Sequence, residues 1–417
     1  MNSGTKIESL VTTTQKVEHD WTRISDYSQL VEEEIQEYSN IEVTDNLREG
    51  GIHAQNAWRF WFEYLSERVW KTSLAEEIMA FCDDIVDPRI LSLGCGYGGI
   101  ELDIAKSLKS TYQITAVDLN PGILDKARAE AQAKNLNIQF LPLDLNFLQI
   151  KEKSFDLIIA HASLHHILNL EHVFSQIHMG LKDHGRLIVQ DIIGKTQVLF
   201  WKQNVDFAID LVHKMPPKYG AGIELPPYSE PAIQIGMEGI RQEEIEPLLN
   251  DYFVPTKMFK YGSFMRMVCT HPDLGKRFDP GIEADKRYLQ SLFDLDVQQV
   301  EEGRLRATEM LAVYEKKDSV NVTAINTAAR ARIDAFLASG EVAQSVLSQD
   351  KALLAEVSAG SLADVSDEIK RLRFALTERD RTIADLKRII DKTFASRSWR
   401  ITAPIRRVSS LLRKVLN

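Results

Sequence analysis

The sequence predicts an α/β fold, a mostly parallel sheet covered by helices on both faces, followed by an α-helical coiled coil. Three observations predict it. An apolar run ends in a glycine-rich turn at Arg89–Ile100, further apolar runs then alternate with helix-compatible stretches, and after Lys317 the pattern changes to a heptad repeat.

Residues 1–45 show little periodicity beyond a helical stretch at Val31–Glu37, and are expected to form a flexible extension. The main domain should span 46–317. Within Ala54 to Phe81, Trp58, Trp61, Tyr64, Leu65, Val69 and Trp70 recur at helical spacing, which predicts a helix packed on the sheet or covering the ligand site. Ile90–Leu93 reads as the first strand. The glycines after it, Gly94, Gly96 and Gly98, suit a turn with positive φ whose backbone approaches a ligand, ahead of a helix whose free N–H groups point the same way. Ile114–Val117 reads as a second strand ending at Asp118, where a carboxylate accepts hydrogen bonds from a ribose diol. Pro121 starts a helix to Ala133 and Asn135 closes it. A third strand at Ile138–Leu141 leads to Asp144, placed to face an adenine amino group. Phe155–Ala160 and Gly185–Asp191 read as strands four and five, and two more are expected from about Pro255 to Cys269 and from Arg306 to Tyr314. Short βα units with apolar strands make a parallel sheet whose ligand site lies at the carboxyl ends.

Composition narrows the class. The chain has 417 residues at 44% hydrophobic, enough for one large domain and an appendage. Its three cysteines, Cys82, Cys95 and Cys269, have no paired or metal-ligand spacing, which points to a reducing compartment and to no resident metal. A net charge of −10 argues against nucleic acid as a partner. No apolar run reaches the length of a membrane span, and the polar N-terminus does not read as a signal sequence.

The Gly94–Cys95–Gly96–Tyr97–Gly98 turn, the two acidic stations and the fourth apolar strand together resemble the class I S-adenosylmethionine-dependent methyltransferases over roughly residues 50–317. The resemblance implies a Rossmann-like seven-stranded sheet with its last pair antiparallel, and S-adenosylmethionine as cofactor. It implies cofactor contacts from Gly94, Cys95, Gly96, Gly98, Asp118, Leu119, Asp144, Leu145 and His161. One departure is Ser92, where the family usually has an acidic residue that helps hold the methionine amino group. An insertion at about 192–250, with Pro216–Pro217 and Pro226–Pro227, is expected to form a lid over the acceptor. Methyl transfer to a hydroxyl needs a base, and His165 and His166 are its candidates, since an imidazole titrates near neutrality. In other members a histidine at this turn caps the helix or holds the loop. The rival device, a metal bound by Asp191 with Glu224, is not required by any spacing in the sequence.

Residues 318–329 read as a linker and 330–392 as a helical region. Leu362, Val365, Ile369, Leu372, Leu376, Arg379, Ile383, Leu386 and Ile390 alternate three- and four-residue steps, a seam that pairs between chains as a homo-oligomer or packs as one amphipathic helix on the domain. The tail, 393–417, is basic and amphipathic, suited to an anionic membrane surface or an acidic partner groove. Its segment Ser396–Arg407 resembles C-terminal segments of bacterial polysaccharide-assembly enzymes. That resemblance implies a cytoplasmic enzyme peripheral to the inner membrane, near glycosyltransferases, methylating a surface-glycan hydroxyl. The alternatives are a methyltransferase for a small quinone- or polyketide-like acceptor, and a non-catalytic scaffold.

Overall fold

The computed structural model describes residues 10–339 apart from 16, 25–26, 40–55, 66–73, 109–110, 197–198, 229–236 and 272. The predicted heptad seam and basic tail lie outside the described residues.

The strands are β1 (Val11–Thr13), β2 (Arg89–Leu93), β3 (Gln113–Asp118), β4 (Ile138–Pro142), β5 (Leu148–Ile150), β6 (Phe155–His161), β7 (Leu181–Ile192), β8 (Phe253–Tyr261) and β9 (Glu309–Lys316). Seven of them form one sheet in the order β4-β3-β2-β6-β7-β9-β8, parallel from β4 to β7, with β9 antiparallel to both of its neighbours. This is the Rossmann-like sheet that the alternation predicts. Chain order reverses between β2 and β6, and the crevice at a reversal is where such sheets bind ligands.

The central strands are apolar throughout because both faces are covered: Leu91, Leu93, Leu157, Ile158, Ile159 and Ala160 are all buried. On one face, α2 (Asn56–Tyr64) buries Trp61 edge-on to Tyr261 and stacked on Phe293. The other face buries Phe174, Ile177 and Tyr252. Helix α3 (Pro121–Ala133) has the predicted bounds, with Pro121 at its first position and the Asn120 side chain accepting from the N–H groups of Gly122 and Ile123.

Three expectations are corrected. The N-terminal segment is built into the domain: β1 pairs antiparallel with β5, and α1 (Tyr27–Ser39) is tied to Asn120, whose Nδ2 donates to the Ile35 carbonyl and the Ser39 hydroxyl. The strand expected to run to Cys269 stops at Tyr261. Gly262 turns there at φ +81°, and buried Asp296 accepts the N–H groups of Gly262, Ser263, Phe264 and Met265, which starts a short helix instead. The linker expected at 318–329 is mostly helix, from Val322 to Ser339. Asn321 Oδ1 accepts from Ala324 N, and Arg332 reaches buried Glu171 at 2.7 Å, so this helix is docked on the domain.

Candidate functional site

At the carboxyl ends of β2, β3, β4 and β6 lies a cleft with about 770 Å³ of empty space, part of it open to solvent. Gly94, Gly96, Asp118, Leu119, Asp144, Leu145 and His166 line it, together with Glu34, Ile35 and Tyr38 of α1 and Met237 of the insertion. Cys95, Gly98, His161 and His165, expected as contacts or base, lie outside this lining.

The turn glycines serve different ends. At Gly94, φ is +66° and a Cβ would lie 2.4 Å from Ser163 Cβ, so this glycine lets the β2 turn pass the β6 turn. Gly94→Ala is expected to destabilise the fold by at least about 2 kcal/mol, from the left-handed backbone and the overpacking together, read as a lowered urea midpoint. At Gly96, φ is +52° and nothing lies within 4 Å of where a Cβ would stand, so its bare backbone faces open cleft.

Gly96 N donates to Asp118 Oδ2 at 2.8 Å and Asn120 N to Oδ1 at 2.9 Å. These two donors fix the carboxylate and leave about two of its roughly four lone-pair sites. Burial raises the Asp118 pKa, against the pull of the same two N–H groups. Asp144 is occupied to the same extent: Tyr27 Oη donates to Oδ2 at 2.7 Å and Asn146 N to Oδ1 at 2.9 Å, leaving one lone pair on each oxygen. Two carboxylates at the ends of adjacent strands, the bare Gly96 backbone and the apolar walls from Leu119, Ile123, Leu145 and Ile167 fit an adenosyl group. Ser92 also finds a carboxylate, for its hydroxyl donates to buried Glu101 Oε1 at 2.5 Å from the next helix. Burial raises the Glu101 pKa, opposed by that hydrogen bond.

The two histidines differ. His165 is buried, and its Nδ1 meets Asp191 Oδ1 at 2.5 Å, while Nε2 lies 3.4 Å from Glu238 Oε1. Burial works against its charge, but Asp191 and Glu238 outweigh burial and raise its pKa to about 10. Buried behind the cleft lining with both ring nitrogens paired, His165 has no open nitrogen facing an acceptor, which disfavours the base role expected of it. His166, at 18% side-chain exposure, reaches the cleft with Nε2 at 3.2 Å from Glu238 Oε2. His161 closes β6, where burial lowers its pKa despite the Asp191 charge nearby.

Asp191 also accepts from the N–H groups of Ser163, Leu164 and Ile192, so it holds the histidine loop as well as His165. Because the folded pKa of His165 is raised above the ordinary value of about 6.5, its pairing stabilises fully below that pH and is lost as pH rises through about 10. Stability should therefore fall between about pH 6.5 and 10 in urea melts. A His165→Gln variant, lower overall, should lack that decline.

The rival device of a metal on Asp191 and Glu224 finds no support, since Asp191 is spent on His165 and the loop, and Glu224 is exposed. Sequence reasoning missed Glu34, Tyr38, Met237 and Glu238. The first two had a signal, because Val31, Glu34, Ile35 and Tyr38 recur at helical spacing.

Residues 90–185 match the family described as "Methyltransferase domain". The chain is 26% identical over 133 residues to the 2-phytyl-1,4-naphtoquinone methyltransferase of Nostoc sp., covering 31% of this chain and 56% of that protein. It is 26% identical over 119 residues to the ubiquinone biosynthesis O-methyltransferase of Rickettsia bellii, covering 28% and 48%. The chain thus spans about half the length of these curated relatives. Among solved structures, the PH0226 protein of Pyrococcus horikoshii OT3 aligns at 17% identity and a TM-score of 0.36, over 64% of this chain and 93% of that one.

Proposed function

We propose that this chain, whose residues 90–185 form a methyltransferase domain that takes S-adenosylmethionine, methylates a hydroxyl group, and that the hydroxyl belongs to a sugar of a bacterial surface polysaccharide. The observation that carries the reaction class is the cleft itself. Asp118, bare Gly96 and His166 line it together, and His166 Nε2 lies 3.2 Å from Glu238 Oε2. S-adenosylmethionine supplies a methyl group on a sulfonium, already activated for displacement. The chain's own work is positioning and proton handling. Asp118 holds the ribose diol, Asp144 faces the adenine edge, and Leu119, Ile123 and Leu145 exclude water around them. The hydroxyl's proton passes to His166, which lines the cleft beside Glu34 and Tyr38 with its Nε2 toward Glu238. Helix α1 and the 237–240 turn, which donates Ile240 N to the His165 carbonyl, close the acceptor side.

The sugar acceptor rests on the tail sequence Ser396–Arg407. In this reading the 362–390 seam pairs two copies, and the 393–417 tail holds the enzyme at an anionic inner-membrane surface beside glycosyltransferases. A second reading, an aromatic hydroxyl of a quinone-like acceptor, is favoured by the names of the curated relatives and by the apolar walls Ile35, Ile167 and Met237. S-adenosylhomocysteine release, measured with a lipid-linked oligosaccharide fraction and with a panel of phenols and hydroquinones, separates them. Turnover on glycan alone supports the proposal, and turnover confined to phenols replaces it with the second reading.

A further inference from the structure

The His165–His166–Glu238 group has a geometry that proton handling alone does not require. His165 Nε2 lies 3.4 Å from Glu238 Oε1, and His166 Nε2 lies 3.2 Å from Glu238 Oε2. All three ligand-type atoms fall within 4.8 Å of one another. A metal ion holding nitrogen and oxygen ligands at about 2.0–2.1 Å sets them roughly 3.0–3.4 Å apart in octahedral or tetrahedral geometry. Hydrogen bonds to nitrogen donors cluster nearer 2.9 Å.

Both imidazoles have a carboxylate behind them. Asp191 Oδ1 takes the Nδ1–H of His165 at 2.5 Å. Glu34 Oε1 stands 2.9 Å from His166 Nδ1 but off the line of its N–H, acting as a charge behind the ring and not as an acceptor. A carboxylate that takes the other N–H of a histidine, as Asp191 does for His165, is the usual surrounding of a metal-bound imidazole. Asp191, Glu34 and Glu238 place three carboxylates around two rings whose centroids are 4.2 Å apart.

We infer that His165, His166 and Glu238 form a binding site for one divalent first-row transition-metal ion, held by two imidazoles and a carboxylate and open toward the cleft. Imidazole ligands select zinc, iron or cobalt over magnesium and calcium, and two histidines with one glutamate leave positions free for an oxygen ligand. Such an ion suits an acceptor with two neighbouring oxygens, such as a vicinal diol, and acts there as a Lewis acid that lowers the pKa of the bound hydroxyl, so that with metal bound His166 serves as a ligand and the proton leaves to solvent instead of to its Nε2. The inference rests on the methyl-transfer reading for the ion's purpose and not for its binding.

The test uses the full-length protein stripped with chelator and titrated with Co²⁺ by visible absorption and with Zn²⁺ by calorimetry, each sample also being titrated with S-adenosylhomocysteine. The expected result is one ion per chain at micromolar metal or tighter. Glu238→Gln should weaken binding at least tenfold. Glu238 is partly exposed and its variant should fold, which circular dichroism checks. Absence of saturable binding, or equal affinity in Glu238→Gln, overturns the metal site. If S-adenosylhomocysteine still binds in that case, the methyl-transfer reading stands without the metal. If neither binds, both fall, whereas metal without S-adenosylhomocysteine upholds the site and removes its proposed purpose.

Discussion

Replacing His166 with alanine is expected to lower methyl-transfer turnover by about 10²–10⁴-fold, the usual contribution of a positioned acid–base group. Affinity for S-adenosylhomocysteine should change far less than turnover, because Gly96, Asp118 and Asp144 stand at or just past the ends of β2, β3 and β4, and His166 acts on them only through its charge at Asp118. Single-turnover kinetics with labelled S-adenosylmethionine reads the first quantity and calorimetry the second. Turnover unchanged in a folded His166→Ala protein would mean that the histidine side of the cleft takes no part in the reaction.

Asp118→Ala carries the second large effect, on binding instead of rate. The loss includes a charge-assisted hydrogen bond to the ribose, worth about 1.5–3 kcal/mol, or roughly 10–150-fold in affinity. It also frees Gly96 N and Asn120 N, which the carboxylate now fixes at 2.8 and 2.9 Å, so the upper part of that range is expected. Asp118→Asn keeps an acceptor and should fall between the two proteins. An unchanged affinity in Asp118→Ala would remove this residue from the ribose site.

The cofactor half of this site was legible in the sequence because its signals are local. Gly94 and Gly96 are adjacent to the strand they follow, and Asp118 and Asp144 stand at or just past the ends of apolar runs that the sequence marks clearly. The acceptor half was not, because it is assembled from far-separated segments. Glu34 comes from a helix read as part of a mobile extension, and Glu238 comes from a turn inside the insertion with no periodicity to mark it. The difference between His165 and His166 was also invisible. Both stand in one Leu-His-His turn, and only the fold shows that Asp191, some 26 residues on, takes Nδ1 of one while the other reaches the cleft. Strand ends failed where a distant side chain decides them, as when Asp296 gathers four backbone N–H groups and stops β8 at Tyr261.

The central claim is that the cleft holds S-adenosylmethionine for transfer to a hydroxyl. The most direct measurement is calorimetric titration of the full-length protein with S-adenosylmethionine and S-adenosylhomocysteine, with Asp118→Ala alongside. The account predicts one saturable site per chain for both compounds, weakened at least tenfold in the variant. A well-folded protein that binds neither compound, or binds them equally well without Asp118, would contradict it.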